Sequence, residues 1–325
     1  MLTDKLSRVS IAHLPTPLEP LPRLTAQLGG PELWIKRDDQ TGLATGGNKA
    51  RKLEYLVASA LAQEAGTLIT AGAAQSNHAR QTAAAAAKFG LECVLALRGE
   101  EPPQMQGNLL LDRLLGAEVR WAGGMPLPEA LAQVAEELRA AGRRAYVVPY
   151  GGSNPVGASG YVAAMEELLV QCAERDVRFD HIVFASSSGG TQAGLVVGAR
   201  ALGFEGRVLG ISVEPRAEAL RHTLAGLATA TADHLGLGLT FAPEDFAVND
   251  DYLGGGYGVV GELEREAMRT LARAEGVLLD PVYTGRAFGG LLALIRRGVL
   301  GPGERVLFWH TGGTAGLFGY GEKVL

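Results

Sequence analysis

The chain has 325 residues, 47% apolar and 20% charged, with 45 glycines and a formal net charge of −5. Such a length buries a large core and suggests two α/β domains; the composition excludes disorder, and the acidic balance leaves no basic footprint for nucleic acid. Cys93 and Cys172 are the only cysteines, too few for a disulfide framework or a metal site, which points to reducing cytoplasm. No apolar leader follows Met1 and no uninterrupted apolar run reaches about 18 residues, so neither export nor a membrane span is expected.

The first 45 residues hold a proline-broken opening from Leu14 to Pro22, a strand over 32–37 and a polar loop through Asp38 and Asp39. Gly46-Gly47-Asn48-Lys49 then turns the chain into a helix with apolar positions at Leu53, Leu56, Val57, Ala60 and Leu61. Asn48 is placed to cap that helix. Lys49 falls in its first turn, where a cation is disfavoured by the helix dipole, and Arg51 and Lys52 add like charge. A lone lysine is ordinarily a solvated surface residue. One whose neutral form is favoured beside glycines is a nucleophile suited to a Schiff base with a carbonyl, of a substrate or of a cofactor.

Strands over 67–72, 93–97, 118–121 and 144–149 alternate with helices after Asn77 and over 107–115 and 128–141, which implies a parallel sheet. Ser76 or Asn77 can cap the helix that follows the first of them. A glycine-rich joint at 150–157 leads to a helix over 161–174 and a second block of strands at 181–185, 208–213, 277–279 and 305–309. Helices over 195–202, 216–234, 262–274 and 287–297 separate these strands, and no short repeat is present.

Residues 186–194, Ser-Ser-Ser-Gly-Gly-Thr-Gln-Ala-Gly, run from a strand into a helix and offer hydroxyls, bare N–H groups and a favourable dipole to a phosphate. A dinucleotide fold is a competing reading, because Glu214 ends the next strand where a ribose-binding acid would stand. A plain tight turn is a third. The loop is not Gly-x-Gly-x-x-Gly, and its hydroxyls suit a terminal monophosphate better than a bridging pyrophosphate.

Five ordered motifs along almost the whole chain carry a resemblance: Gly-Gly-Asn-Lys-Ala-Arg-Lys-Leu-Glu at 46–54, Gln-Ser-Asn-His at 75–78, Ser-Gly-Gly-Thr-Gln-Ala-Gly at 188–194, Asp-Pro-Val-Tyr-Thr-Gly at 280–285 and His-Thr-Gly-Gly at 310–313. Together they resemble the pyridoxal-phosphate enzymes of the D-cysteine desulfhydrase and 1-aminocyclopropane-1-carboxylate deaminase family, of the tryptophan synthase β-like fold. The resemblance implies fold type II, with residues 1–45 and 157–325 forming a larger cofactor-binding domain, 46–156 a smaller α/β domain and the site in the cleft between them. It also implies a homodimer.

By the same resemblance, Lys49 is the lysine joined to pyridoxal 5′-phosphate, and Ser186, Ser187, Ser188, Gly189, Gly190 and Thr191 hold its phosphate. Asn77 lies near the ring hydroxyl, and Ser76, with the N–H groups of 76–78, grips the substrate carboxylate. His78 contributes mainly backbone, although its side chain can titrate near neutrality. Tyr257 and Tyr283 flank the substrate. The deaminases characteristically carry glutamate where Thr284 stands and leucine where Thr311 stands, whereas the desulfhydrases resemble this chain in having threonine at both. A threonine at the pyridine nitrogen makes the ring a poorer electron sink than a carboxylate does, which suits a good leaving group such as thiolate.

The expected reaction is therefore α,β-elimination from D-cysteine or a related small amino acid, with Lys49 as base and Tyr283 or Tyr257 assisting. Deamination of 1-aminocyclopropane-1-carboxylate, L-cysteate sulfo-lysis and a non-catalytic dinucleotide- or ligand-binding role are the alternatives. No metal, nucleic acid or membrane partner is expected.

Overall fold

The computed structural model describes residues 1–325. Its strands are β1 (Leu18–Pro20), β2 (Glu32–Arg37), β3 (Thr67–Gly72), β4 (Glu92–Leu97), β5 (Glu118–Trp121), β6 (Ala145–Val147), β7 (His181–Ser186), β8 (Arg207–Ser212), β9 (Ala247–Asn249) and β10 (Arg305–His310). They form two sheets, a six-stranded one in the order β1-β2-β10-β7-β8-β9 and a four-stranded one in the order β5-β4-β3-β6. Every pairing is parallel except β1 with β2. All six residues of β3 are buried, as the Thr-Leu-Ile-Thr-Ala-Gly run requires of a central parallel strand covered on both faces.

The short elements β1 and β9 escape a sequence reading because three residues carry no periodicity. The helix expected over 161–174 spans Pro155–Arg175, and the one expected over 195–202 spans Gly190–Leu202. Gly157, read as part of a joint, and Gly190 and Gly194, read as part of a loop, lie inside these helices. A Cβ at Gly160 would stand 2.3 Å from the Arg51 carbonyl oxygen, so glycine there lets helix Pro155–Arg175 press directly on helix Lys49–Ala62. The strand expected at 277–279 does not form. That segment has no neighbouring strand, and the Leu278 carbonyl instead accepts a hydrogen bond from His310 Nε2 at 2.9 Å.

A buried ion network fastens the Lys49 helix. Arg51 donates to Asp38 Oδ1 at 2.9 Å and to both carboxylate oxygens of Glu167, Lys36 Nζ reaches Glu167, and Tyr161 donates to Asp38 Oδ2 at 2.6 Å. Three strands, β3, β7 and β10, end on the same cleft. The loops that leave their carboxyl ends, 73–76, 187–189 and 311–313, enter helices Asn77–Lys88, Gly190–Leu202 and Thr314–Leu317. Parallel α/β sheets bind ligands at such strand ends.

Candidate active site

Gly46 adopts φ 71°, and a Cβ there would lie 1.9 Å from the Asp39 carbonyl oxygen, so only glycine makes this turn. Asn48 begins the helix but does not cap it through its side chain. Its amide donates instead to Thr191 Oγ1 at 3.0 Å, its N–H donates to the Thr311 carbonyl at 2.9 Å, and the Lys49 N–H donates to Gln81 Oε1 at 3.0 Å. The start of this helix is therefore held by helix Gly190–Leu202, by the loop after β10 and by helix Asn77–Lys88, which fixes Lys49 relative to all three.

Burial lowers the Lys49 amine from 10.5 to about 8. Arg51 is not the like charge expected beside it, since its guanidinium turns away into Asp38 and Glu167. Lys52 is. One turn on along the same face, it donates to the Gly151 carbonyl at 3.1 Å and is pushed well below its ordinary value by burial and then by the Lys49 charge. Neither amine has a carboxylate partner. Sequence reading treated Lys52 as a generic cation; the signal that marks it is its i+3 spacing from Lys49.

The loop after β7 is built for an anion. The N–H groups of Ser187, Ser188, Gly189 and Thr191 find no acceptor in the chain, and the Ser186 hydroxyl is buried without a partner. Ser153 seats itself at the helix start, accepting from the Gly190 N–H at 3.0 Å and bonding Ser188 Oγ at 2.8 Å. A Cβ at Gly190 would meet Ser153 Oγ at 2.7 Å and Lys52 Nζ at 2.9 Å, so the absence of a side chain leaves a cradle between cation and hydroxyl. Unpaired amides, an orphaned hydroxyl and two uncompensated amines together fit a phosphate. Glu214, which the dinucleotide reading needed, is exposed and lies outside this cleft.

Ser76 caps helix Asn77–Lys88, its hydroxyl accepting from the Ala79 N–H at 3.1 Å. The N–H groups of Asn77 and His78 have no chain partner and remain available to a carboxylate. The His78 imidazole is buried, with Nε2 bonded to Thr70 Oγ1 at 2.9 Å and Nδ1 unpartnered. Burial drives its pKa well below 6.5, so it does not titrate near neutrality.

Tyr283 lines the cleft, and Tyr257 stands behind it with its hydroxyl 2.6 Å from that of Tyr283. Burial raises both phenols, so each keeps its proton at neutral pH. Thr311 lines the cleft, but Thr284 does not. The Thr284 hydroxyl donates to Asp280 Oδ1 at 2.7 Å and accepts from the Asp280 N–H at 2.8 Å, which leaves it no proton for a ring nitrogen. Tyr150, Gly151, Ala185, Gln192 and Gly312 also line the cleft without having been singled out in the sequence. Tyr150 and Gly151 belong to the joint at 150–157, whose glycines read only as a turn. Of the 17 lining residues none is a carboxylate.

A family model described as "Pyridoxal-phosphate dependent enzyme" matches residues 9–312. The chain is 46% identical over 327 residues to a D-cysteine desulfhydrase of Yersinia enterocolitica, covering 98% of this chain and 97% of the other. It is 41% identical to a 1-aminocyclopropane-1-carboxylate deaminase of Burkholderia vietnamiensis, covering 99% and 98%. A solved structure described as an ACC deaminase homologue superposes with a TM-score of 0.91 at 42% identity, covering 99% of this chain and 97% of that one.

Proposed function

The chain belongs to the pyridoxal-phosphate dependent enzyme family and is a lyase of its desulfhydrase and deaminase group; from that premise we propose that it eliminates sulfide from D-cysteine or a close β-substituted amino acid, yielding pyruvate and ammonia. The observation that carries the substrate is the cleft without a carboxylate, in which Thr311 supplies a neutral hydroxyl. A ring nitrogen without an acid beside it stays a modest electron sink, which suffices when the leaving group is as good as a thiolate.

In this reading Lys49 Nζ would hold the cofactor, the 186–191 loop with Lys52 would hold its phosphate, and Asn77 and Thr311 would hydrogen-bond its ring oxygen and ring nitrogen. The bound cofactor supplies the sink for the electron pair left at the substrate α-carbon. Ser76 and the free N–H groups of Asn77 and His78 orient the substrate carboxylate at a helix N-terminus. Lys49 Nζ, when free, would remove the α-proton, and its lowered pKa of about 8 keeps a useful fraction neutral near pH 7. Tyr283 hands its proton to the departing sulfur, and Tyr257 restores it through the hydrogen bond between the two phenols. Residues 46–156 are taken as the smaller domain and 1–45 with 157–325 as the larger; the protein is taken as a cytoplasmic homodimer, as its resemblance to the family implies.

Relatives named 1-aminocyclopropane-1-carboxylate deaminase at comparable identity keep a second reading in view. Both are tested by supplying the cofactor-loaded protein with D-cysteine, L-cysteine, L-cysteate and 1-aminocyclopropane-1-carboxylate in turn. Pyruvate and sulfide from D-cysteine are expected; 2-oxobutyrate from the cyclopropane substrate with no sulfide from D-cysteine would replace the first reading by the second.

A further inference from the structure

Behind Asn77 lies a run of hydrogen bonds whose directions are forced. Arg80 is fully buried, and its Nε donates to Asn108 Oδ1 at 3.1 Å. A guanidinium only donates, so the Asn108 carbonyl must face it. The other end of that amide, Nδ2, therefore points away and donates at 2.9 Å both to the Gln75 carbonyl and to Asn77 Oδ1. Asn77 Oδ1 also lies 3.5 Å from Arg80 Nη2, a second donor. With its oxygen turned to two donors, Asn77 has only its NH₂ end left for the cleft that it lines, and that end has no partner in the chain. Asn108 itself is fully buried and takes no part in the lining.

We propose that Arg80 and Asn108 are positioning residues that set the hydrogen-bond polarity of Asn77, so that it presents a donor and never an acceptor to the cofactor's ring oxygen. A donor stabilises that oxygen in its anionic form, whereas an amide rotated by half a turn would set oxygen against oxygen and repel it. Either rotamer fills the same space, so packing alone does not choose between them, and the choice is made two side chains away. The same guanidinium donates to the carbonyls of Ala44 and Gly46 at the entrance to the Lys49 turn, which ties the donor's orientation to the attachment point.

The inference rests on the placement of Asn77 beside the ring oxygen proposed above, and is independent of which amino acid is the substrate. Its test is a double-mutant cycle read by cofactor affinity and by the absorption maximum of the bound cofactor. Asn108→Asp keeps the acceptor for Arg80 but loses the donor to Asn77, and Asn77→Ala removes the end of the relay. Each single variant is expected to bind pyridoxal 5′-phosphate at least tenfold more weakly than wild type and with a displaced maximum, and the double variant to be no worse than Asn77→Ala alone. Losses that multiply in the double variant, or a wild-type maximum in Asn108→Asp, would overturn the relay. An Asn77→Ala protein with wild-type affinity and spectrum would overturn the placement of Asn77 and the relay with it. If Asn108→Asp does not fold, Asn108→Ala carries the same cycle, with a loss of threefold or more expected and the same non-multiplying double variant required.

Discussion

The hydroxyls of Tyr257 and Tyr283 are 2.6 Å apart, with their rings edge to face at 5.9 Å, yet only Tyr283 reaches the cleft. The two phenols are thus ordered, one lining the cleft and one outside its lining. Tyr283→Phe is expected to lower kcat by about 10²–10⁴-fold, the range for loss of a positioned proton donor. Tyr257→Phe should cost roughly tenfold, because Tyr283 keeps its own proton and loses only a partner. Steady-state kinetics on both proteins decide the order; equal losses would contradict it.

Lys49 and Lys52 divide attachment from charge. Lys49→Ala should abolish turnover and the visible absorbance of the bound cofactor, whereas Lys52→Met should retain that absorbance and weaken cofactor affinity by roughly 10–100-fold, as expected for a buried charge-assisted bond to phosphate. In cofactor-free protein the Lys49 amine should become reactive as pH rises through about 8, since burial lowers it from 10.5. Reductive methylation followed over roughly pH 6–11 measures this midpoint.

The two threonines that the sequence reading paired are separated by the structure. Thr311→Val, at the cleft, is expected to shift the absorption maximum of the bound cofactor while leaving the melting temperature nearly unchanged. Thr284→Val should do the reverse, lowering stability by about 1–3 kcal/mol, because it strips a buried partner from Asp280. Spectra and thermal melts on the two variants are sufficient.

Asp112 is fully buried and neither carboxylate oxygen has a hydrogen-bond partner. Burial pushes its pKa up from 3.8 to about 7, against the nearby charges of Arg80 and Arg113. A folded value above the unfolded one means that the native state holds the proton more tightly, so stability is lost as pH rises between 3.8 and about 7. Asp112→Asn should remove that dependence, stabilising the protein at pH 8 by on the order of 4 kcal/mol and leaving it little changed at pH 4. Denaturant melts at the two pH values test the sign.

Arg51 compensates both Asp38 and Glu167. Arg51→Met is expected to cost about 3–5 kcal/mol by leaving buried carboxylates unpaired. Urea unfolding of the variant measures the loss.

The alternation of strands and helices, and the loops that carry Lys49, Ser76 and Ser186, are legible in the sequence because buried parallel strands read as apolar runs and helix starts as glycine and hydroxyl clusters. The misplaced helix boundaries have one physical origin, which is that glycine has two uses. Gly157 read as part of a joint and Gly194 as the end of a loop, whereas in the fold both lie inside helices and admit close contacts: a Cβ at Gly194 would stand 2.3 Å from the Ala158 carbonyl oxygen. Side-chain direction was hidden as well. Nothing in the order Lys49-Ala50-Arg51-Lys52 says that Arg51 turns into a carboxylate network while Lys52 turns toward the phosphate loop, or that Thr284 spends both its hydrogen bonds on Asp280.

The turn before Lys49 rests on the turn after β10 backbone to backbone, with the Asn48 N–H on the Thr311 carbonyl and no room for a Cβ between Gly312 and Gly47, whose Cα would be 2.6 Å away. Because no side chain mediates that contact, the side chain at position 311 is left out of the mechanical frame. In the proposed placement, exchanging it would alter what the far end of the ring experiences without moving the attached end. The scaffold would thereby separate where a bond breaks from how hard it is pulled, and a different leaving group would be accommodated by a single residue rather than by rebuilding the cleft.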